Sequence, residues 1–181
     1  MSTFPMPANF TFARGVPPVG VGMIANHWNL IKAEPLQIKT LVGNLAINSA
    51  QLAGLNSTPV QVLPPMTIEG SSSPLPNVVY VLRSVSARIN FGTTAFAGGS
   101  GVGLFYGNAP SAANLIVNIP SNLFVQSTTM DILGMTPSTS GVLLSPAITE
   151  GQPVYLGNTG SALTGGDGSL ELSVSYLIIQ I

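Results

Sequence analysis

From about residue 59 onward, apolar and polar positions alternate in short runs, the period that places successive side chains on opposite faces of a β-strand. The longest run is VVYVLRSVSARINF at 78–91, where Val85, Ala87, Ile89 and Phe91 point one way and Ser84, Ser86, Arg88 and Asn90 the other. SLELSVSYLIIQI at 169–181 closes the chain, with Leu170, Leu172, Val174, Tyr176 and Ile178 on one face and Glu171, Ser173 and Ser175 on the other. Leu177, Ile179 and Ile181 then turn that outer face apolar, so the strand should pass from a half-exposed to a doubly covered position. Shorter strands are expected at 59–63 (PVQVL), 66–69 (MTIE), 101–107 (GVGLFYG), 113–119 (ANLIVNI), 122–126 (NLFVQ), 142–145 (VLLS) and 153–157 (PVYLG). Clusters of Gly, Ser and Asn at 70–74, 98–101, 157–161 and 165–168 separate them. Short strands with turn residues between them predict an all-β chain, an antiparallel β-sandwich or jelly roll. Nothing resembles the alternation of strands and helices that a parallel sheet requires.

The first part of the chain reads differently. Prolines at 5, 7, 17, 18 and 35, with glycines at 15, 20 and 22, exclude a regular helix or a central strand over 1–35. The segment is nonetheless apolar, and Phe4, Phe10, Phe12, Met23, Trp28 and Ile31 need burial somewhere. An extended N-terminal arm lying on a neighbouring surface satisfies both requirements; a coil packed on its own domain is the plainer alternative. Residues 36–56 carry two patterns, a strand-like LQIKTL at 36–41 and a helical spacing of Leu41, Leu45, Leu52 and Leu55. Gly43 and Gly54 weaken a long helix, leaving a short one near 44–53. The resulting division is an arm over 1–58 and a sandwich or jelly-roll body over 59–181, with Phe4, Phe10, Phe12, Trp28 and Arg83 as candidate interface residues.

Charge changes the picture most. Only 6% of the 181 residues are charged, 5 Lys+Arg against 6 Asp+Glu, while 45% are hydrophobic; an ordinary soluble domain carries about 25% charged residues. A folded monomer of this mass exposes roughly 8,000 Å², so charges are spread unusually thin and much of the surface is expected to face other protein. Mean hydropathy is +0.47. A net charge of −1 supplies no basic field for a phosphate backbone, so no nucleic-acid partner is expected. The absence of cysteine removes disulfides, thiol nucleophiles and Cys-ligated zinc. No basic region followed by an apolar stretch opens the chain, and no uncharged apolar run reaches about 18 residues. A signal peptide and a membrane-spanning helix are therefore not expected; alternating strands of a barrel would escape that test.

Candidate chemistry is sparse. His27 is the only histidine and sits beside Trp28 in the Pro/Gly-rich stretch, a poor platform for a catalytic triad. Asp167 in a turn and Glu171 on the outer face of the next strand are a geometrically conceivable glycosidase pair, but Asp in a Gly-Gly-Asp-Gly turn is more simply a partner for the local backbone. GGSGVG at 98–103 suggests a phosphate cradle only superficially, because a strand rather than a helix follows and no Lys is near. Asp131 and Glu150 are candidates for sharing a calcium ion with loop carbonyls, without an oxygen-rich run of ligands to support them. Arg83 and Arg88, at odd spacing, should lie on opposite faces, with Arg83 on the face of Val79, Val81 and Val85 and either paired with a carboxylate or emerging at a subunit boundary. Asn9-Phe10-Thr11 and Asn56-Ser57-Thr58 match glycosylation sequons that arise readily by chance. No cofactor and no resident metal are expected.

Residues 60–65 (VQVLPP), 81–92 (VLRSVSARINFG), 94–103 (TAFAGGSGVG) and 157–179 (GNTGSALTGGDGSLELSVSYLII) resemble small structural proteins of tailed bacteriophages and prophages. The most specific element is Leu163-Thr164-Gly165-Gly166-Asp167-Gly168 followed by the alternating final strand. The resemblance implies a non-enzymatic virion protein: a capsid cement or decoration protein with a jelly-roll body. Such a protein would form a homotrimer and sit on the major capsid protein at the capsid surface after synthesis in the bacterial host cytoplasm. The alternative is a tail or fibre module that binds host carbohydrate, for which Phe105, Tyr106 and Tyr155 are the candidate platform. A third reading, a single-jelly-roll major coat protein, would show itself by assembling closed shells.

Overall fold

A computed structural model describes residues 41–68, 70–137 and 146–180. Phe4, Phe10, Phe12, His27, Trp28 and the strand expected at 142–145 lie outside the described residues. Eight strands form: β1 (Leu41–Ile47), β2 (Val60–Leu63), β3 (Val78–Asn90), β4 (Val102–Tyr106), β5 (Leu115–Asn118), β6 (Met130–Met135), β7 (Val154–Asn158) and β8 (Ser169–Gln180). They build two four-stranded sheets, ordered β1-β8-β3-β6 and β2-β7-β4-β5. Every pairing is antiparallel, and the pairs nest: first with last, second with next-to-last, β3 with β6, β4 with β5. This is a long antiparallel ribbon wrapped on itself, an eight-stranded jelly roll. Among the described residues no helix is long and apolar enough to cross a membrane.

The core lies between the sheets. Tyr80, Leu82, Val85, Ala87 and Ile89 from β3 and Leu170, Leu172, Val174 and Tyr176 from β8 face Val102 and Leu104 from β4 and Val154 and Leu156 from β7. Tyr80 and Tyr176 meet edge to face, their ring centroids 5.4 Å apart at 78°, the geometry aromatic quadrupoles favour. Phe96, Leu123, Phe124 and Leu163 join the same cluster from the loops. On β8 the outer face follows the expected gradient only as far as Leu177: Glu171 is exposed, Ser173 and Ser175 are half-buried and Leu177 is buried, but Ile179 is again half-buried and residue 181 lies outside the described residues.

Four differences from the sequence expectation have local causes. Residues 41–58 belong to the jelly roll rather than to the arm, because β1 pairs with β8 over its full length from Leu41↔Tyr176 to Ile47↔Leu170. The short helix is real but spans only Ser49–Ala53, since the Asn48 side chain accepts from the Gln51 N–H and the Gln51 side chain returns to the Asn48 N–H. That capping box starts the helix after the strand, and Leu41 and Leu45 are strand residues whose helical spacing is coincidental. The expected strand at 122–126 is a 3₁₀ turn over Ser121–Leu123 instead. Pro120 precedes it, and adjacent Leu123 and Phe124 are both buried, which a strand with one buried face cannot do. MTIE forms only a single bridge, Thr67 to Pro74.

The most informative difference is at Arg83. Pairing with β8 runs regularly to Leu82↔Tyr176 and resumes at Ser84↔Ser175, leaving Arg83 as an extra, unpaired residue. The β3 residues of the core cluster accordingly switch from even numbers, Tyr80 and Leu82, to odd numbers, Val85, Ala87 and Ile89, Val79 being buried outside that cluster. A bulge of one residue inverts the parity of a strand. Arg83 therefore does not share the face of Val85; it is exposed and, among the described residues, forms no ion pair. β6 was not expected at all: its Asp131, Leu133 and Gly134 are exposed and its burial is too weak to leave an alternating apolar pattern.

Candidate functional site

The outer face of the β1-β8-β3-β6 sheet carries the charged side chains that the fold gathers together. Arg88 on β3 is directly opposite Asp131 on β6 and directly opposite Glu171 on β8. Its Nε donates to Asp131 Oδ1 at 2.7 Å and its Nη2 to Oδ2 at 3.3 Å, a bidentate pair. The Asp131 carboxylate, and more weakly Glu171, holds the guanidinium protonated beyond its already high ordinary value. Asn90 Nδ2 donates to Glu171 Oε1 at 2.9 Å, so the second carboxylate is also engaged. The strip borders an open depression of about 500 Å³ whose lining also includes Ser86, Ser173 and Leu133. Arg88 and Asp131 are 51% and 42% exposed, so the pair is solvated and contributes little to stability. Leu133, 79% exposed, and Val42, 56% exposed, make the two ends of the same sheet apolar at the surface.

Other candidates are accounted for by structure. Phe105 and Tyr106 are buried and cannot form a carbohydrate platform; Tyr155 is half-buried. Phe105 misled because β4 is covered on both faces, all five of its residues being buried. Tyr106 donates its hydroxyl to the Tyr80 carbonyl, and burial pushes its phenol up to about 12. Tyr80 in turn donates to the Pro64 carbonyl at 3.0 Å, so both phenols stay neutral anchors. Asp131 is committed to Arg88, and among the described residues no group of three or more His, Cys, Asp or Glu side chains is placed to hold a metal ion.

The Gly-rich 98–103 loop packs against the 157–161 loop. Gly99 N–H donates to the Ser161 carbonyl at 3.1 Å, Thr159 N–H to the Gly101 carbonyl at 3.1 Å, and the Ser100 and Ser161 hydroxyls lie 2.9 Å apart. A Cβ at Gly160 would stand 1.9 Å from the Ser100 carbonyl oxygen, so the glycines here serve close backbone approach rather than phosphate binding. Beneath the loops Asn158 is buried, and Asn56, the sequon asparagine, donates its amide to the Gly160 carbonyl at 2.8 Å.

Asp167 does bond backbone, its own only weakly and that of Thr93 and Thr94 most strongly. Its carboxylate accepts from Thr93 Oγ1 at 2.7 Å and from the Thr93 and Thr94 N–H groups at 2.8 and 2.9 Å. The clamp ties the start of β8 to the loop after β3 across 74 residues of sequence. The Thr93 hydroxyl, then the Thr94 and Thr93 amides, hold the carboxyl below its ordinary value. A depressed native value adds stability that is present above the unfolded carboxylate's range and is lost as pH falls through the native one. Asp167→Ala is therefore expected to melt below the parent at neutral pH, with the gap narrowing as the pH falls through the carboxylate range, followed by thermal denaturation; a gap that stayed undiminished in acid would contradict the clamp.

No family model and no curated protein matches the chain. Among solved structures it is similar to one described as "Cyanophage Pam1 capsid asymmetric unit", at 16% identity and a TM-score of 0.36, with 95% of this chain and 99% of that chain covered.

Proposed function

We propose that the chain is a non-enzymatic virion structural protein, a capsid cement or decoration protein that stabilises the head by bridging major capsid subunits as a homotrimer. The observation that carries this reading is the near absence of charge on an eight-stranded jelly roll. Among the described residues the charged side chains are Arg83, Arg88, Asp131, Glu150, Asp167 and Glu171, with no lysine. Arg88 and Asp131 neutralise one another, and the exposed Asp167 is engaged by Thr93 and Thr94. Such a surface is poorly suited to life as an isolated solute and well suited to subunit contacts. Burying it leaves few unpaired ions to desolvate, and each Å² of apolar area removed from water contributes about 25 cal/mol. The sequence motifs at 60–65 and 157–179 that resemble phage structural proteins support the same reading.

In this account Phe4, Phe10, Phe12 and Trp28 are arm residues that contact neighbouring subunits, and Arg83 is offered to a partner from its exposed bulge. The test is co-sedimentation with shells assembled from the major capsid protein of the same genome. The chain is expected to pellet with shells and saturate at a fixed ratio. Removal of residues 1–35, which leaves every strand from β1 onward intact, should preserve the folded body and weaken attachment at least tenfold. A chain that stays in the supernatant at every shell concentration would overturn the proposal, and a truncated chain that aggregates would place that segment in the body.

A further inference from the structure

Among the described residues each of the two sheets ends in two edge strands, and an unpaired edge is a template for pairing with another chain unless something blunts it. β2 is four residues long and lies between Pro59 and Pro64. β5 is also four residues, pairs irregularly with β4 and runs into Pro120. β6 carries Asp131, a register shift against β3, and Gly134 at a φ of +67°. β1 has none of these devices. Its seven residues, LVGNLAI, include no charge and no proline, and their register with β8 is unbroken. Val42 is 56% exposed and Leu45 is only half-buried, both on a strand whose outer edge pairs with no other described strand.

We infer that β1 is a docking edge for the β1 of a second copy, joined antiparallel about a twofold axis. The segment is self-complementary in that arrangement. Centring the axis on Asn44 sets Val42 against Ala46 of the partner subunit and Gly43 against the partner's Leu45, small opposite large at both places. No like charges meet, because there are none, and the unpaired main-chain donors and acceptors of both edges are satisfied together. The two four-stranded sheets become one continuous eight-stranded sheet, within the range twisted sheets commonly reach. The pairing is compatible with a trimer: a twofold perpendicular to a threefold closes as a hexamer of D₃ symmetry.

The chain has no cysteine, so Asn44→Cys introduces a single thiol at the axis. Opposite residues in antiparallel strands have Cα atoms about 4.5–5.5 Å apart, inside the range a disulfide spans. Under mild oxidation Asn44→Cys is expected to form a disulfide-linked dimer at least tenfold faster than Leu133→Cys, an exposed control on the blunted β6 edge. Asn44→Lys, at an exposed position that should not disturb folding, sets two ammonium groups against each other and should halve the molar mass in solution. Equal cross-linking rates for the two cysteines, or an unchanged mass for Asn44→Lys, would overturn the inference. Both readouts use the purified chain alone, so their failure leaves the capsid proposal to its own co-sedimentation test.

Discussion

Deleting Arg83 is expected to leave the jelly roll folded and about as stable as the parent, whereas deleting Ser86, three positions further along the same strand, is expected to destabilise it strongly. Without Arg83 the sequence reads Leu82-Ser84-Val85, and the pairings Leu82↔Tyr176, Ser84↔Ser175 and Val85↔Val174 become continuous. The strand then alternates strictly, with Leu82 and Val85 still facing the core. Loss of Ser86 is absorbed only by giving up the bulge, with Arg83 taking the place opposite Ser175 while Ala87 and Ile89 keep their inward positions. Ser84 then turns into the core and Val85, fully buried in the parent, turns out of it. Withdrawing one large apolar side chain costs about 1.5–3 kcal/mol, and a buried hydroxyl without a partner adds about 1–3 kcal/mol. The sum is a large fraction of the whole stability of a domain, about 5–15 kcal/mol. Circular dichroism and thermal melts of the two deletions distinguish these outcomes. Equal loss in both would mean that the bulge is a structural requirement rather than an insertion into an otherwise regular ladder.

The second large effect is expected at Asn158. This side chain is 4% exposed, donates to Asn56 Oδ1 at 3.0 Å and to the Ser161 carbonyl at 2.8 Å, and accepts from the Gly160 N–H at 2.8 Å. Asn158→Asp keeps the shape but removes both donated bonds and faces two acceptor oxygens with a carboxylate. An uncompensated buried charge costs about 3–5 kcal/mol, and at about 2–4 °C per kcal/mol for a chain of this size the melting temperature should fall by about 6–20 °C. Because burial favours the neutral form of the new carboxyl, its native pKa is raised, and the variant should recover part of its stability as the pH is lowered. A variant that melts with the parent would show that the 98–101 and 157–161 loops do not depend on this amide.

Much of the fold was legible in the residues, and the failures share a cause. β3 and β8 are long and strictly patterned over Val85–Ile89 and Leu170–Tyr176, so class, pairing type and most of the core follow from period alone. What period cannot reveal is a single inserted residue, and the assignment of Arg83 to the face of Val85 rested on unbroken parity. β1 and the helix that follows it were blended because Leu41, Leu45, Leu52 and Leu55 satisfy a helical spacing, while the Asn48–Gln51 box that separates the two elements is a local hydrogen-bond pattern. β6 was missed because an edge strand with one weakly buried face keeps no apolar alternation. The Arg88–Asp131–Glu171 strip depends on which strands become neighbours, and nothing local to those residues encodes it. Asp167 was read correctly as a backbone partner, but the backbone it holds, at Thr93 and Thr94, is distant in sequence. Phe105 and Tyr106 sit on a strand covered on both sides, which a five-residue apolar run permits but does not require.

The central claim is that this charge-poor jelly roll is a building block of an assembly. Light scattering after size exclusion tests it most directly, at micromolar concentration and after serial dilution. The account predicts a molar mass that is an integral multiple of 18.6 kDa, greater than one and unchanged on dilution. A stable monomer of 18.6 kDa at every concentration would contradict it, and the surface would then have to be explained by a soluble ligand instead.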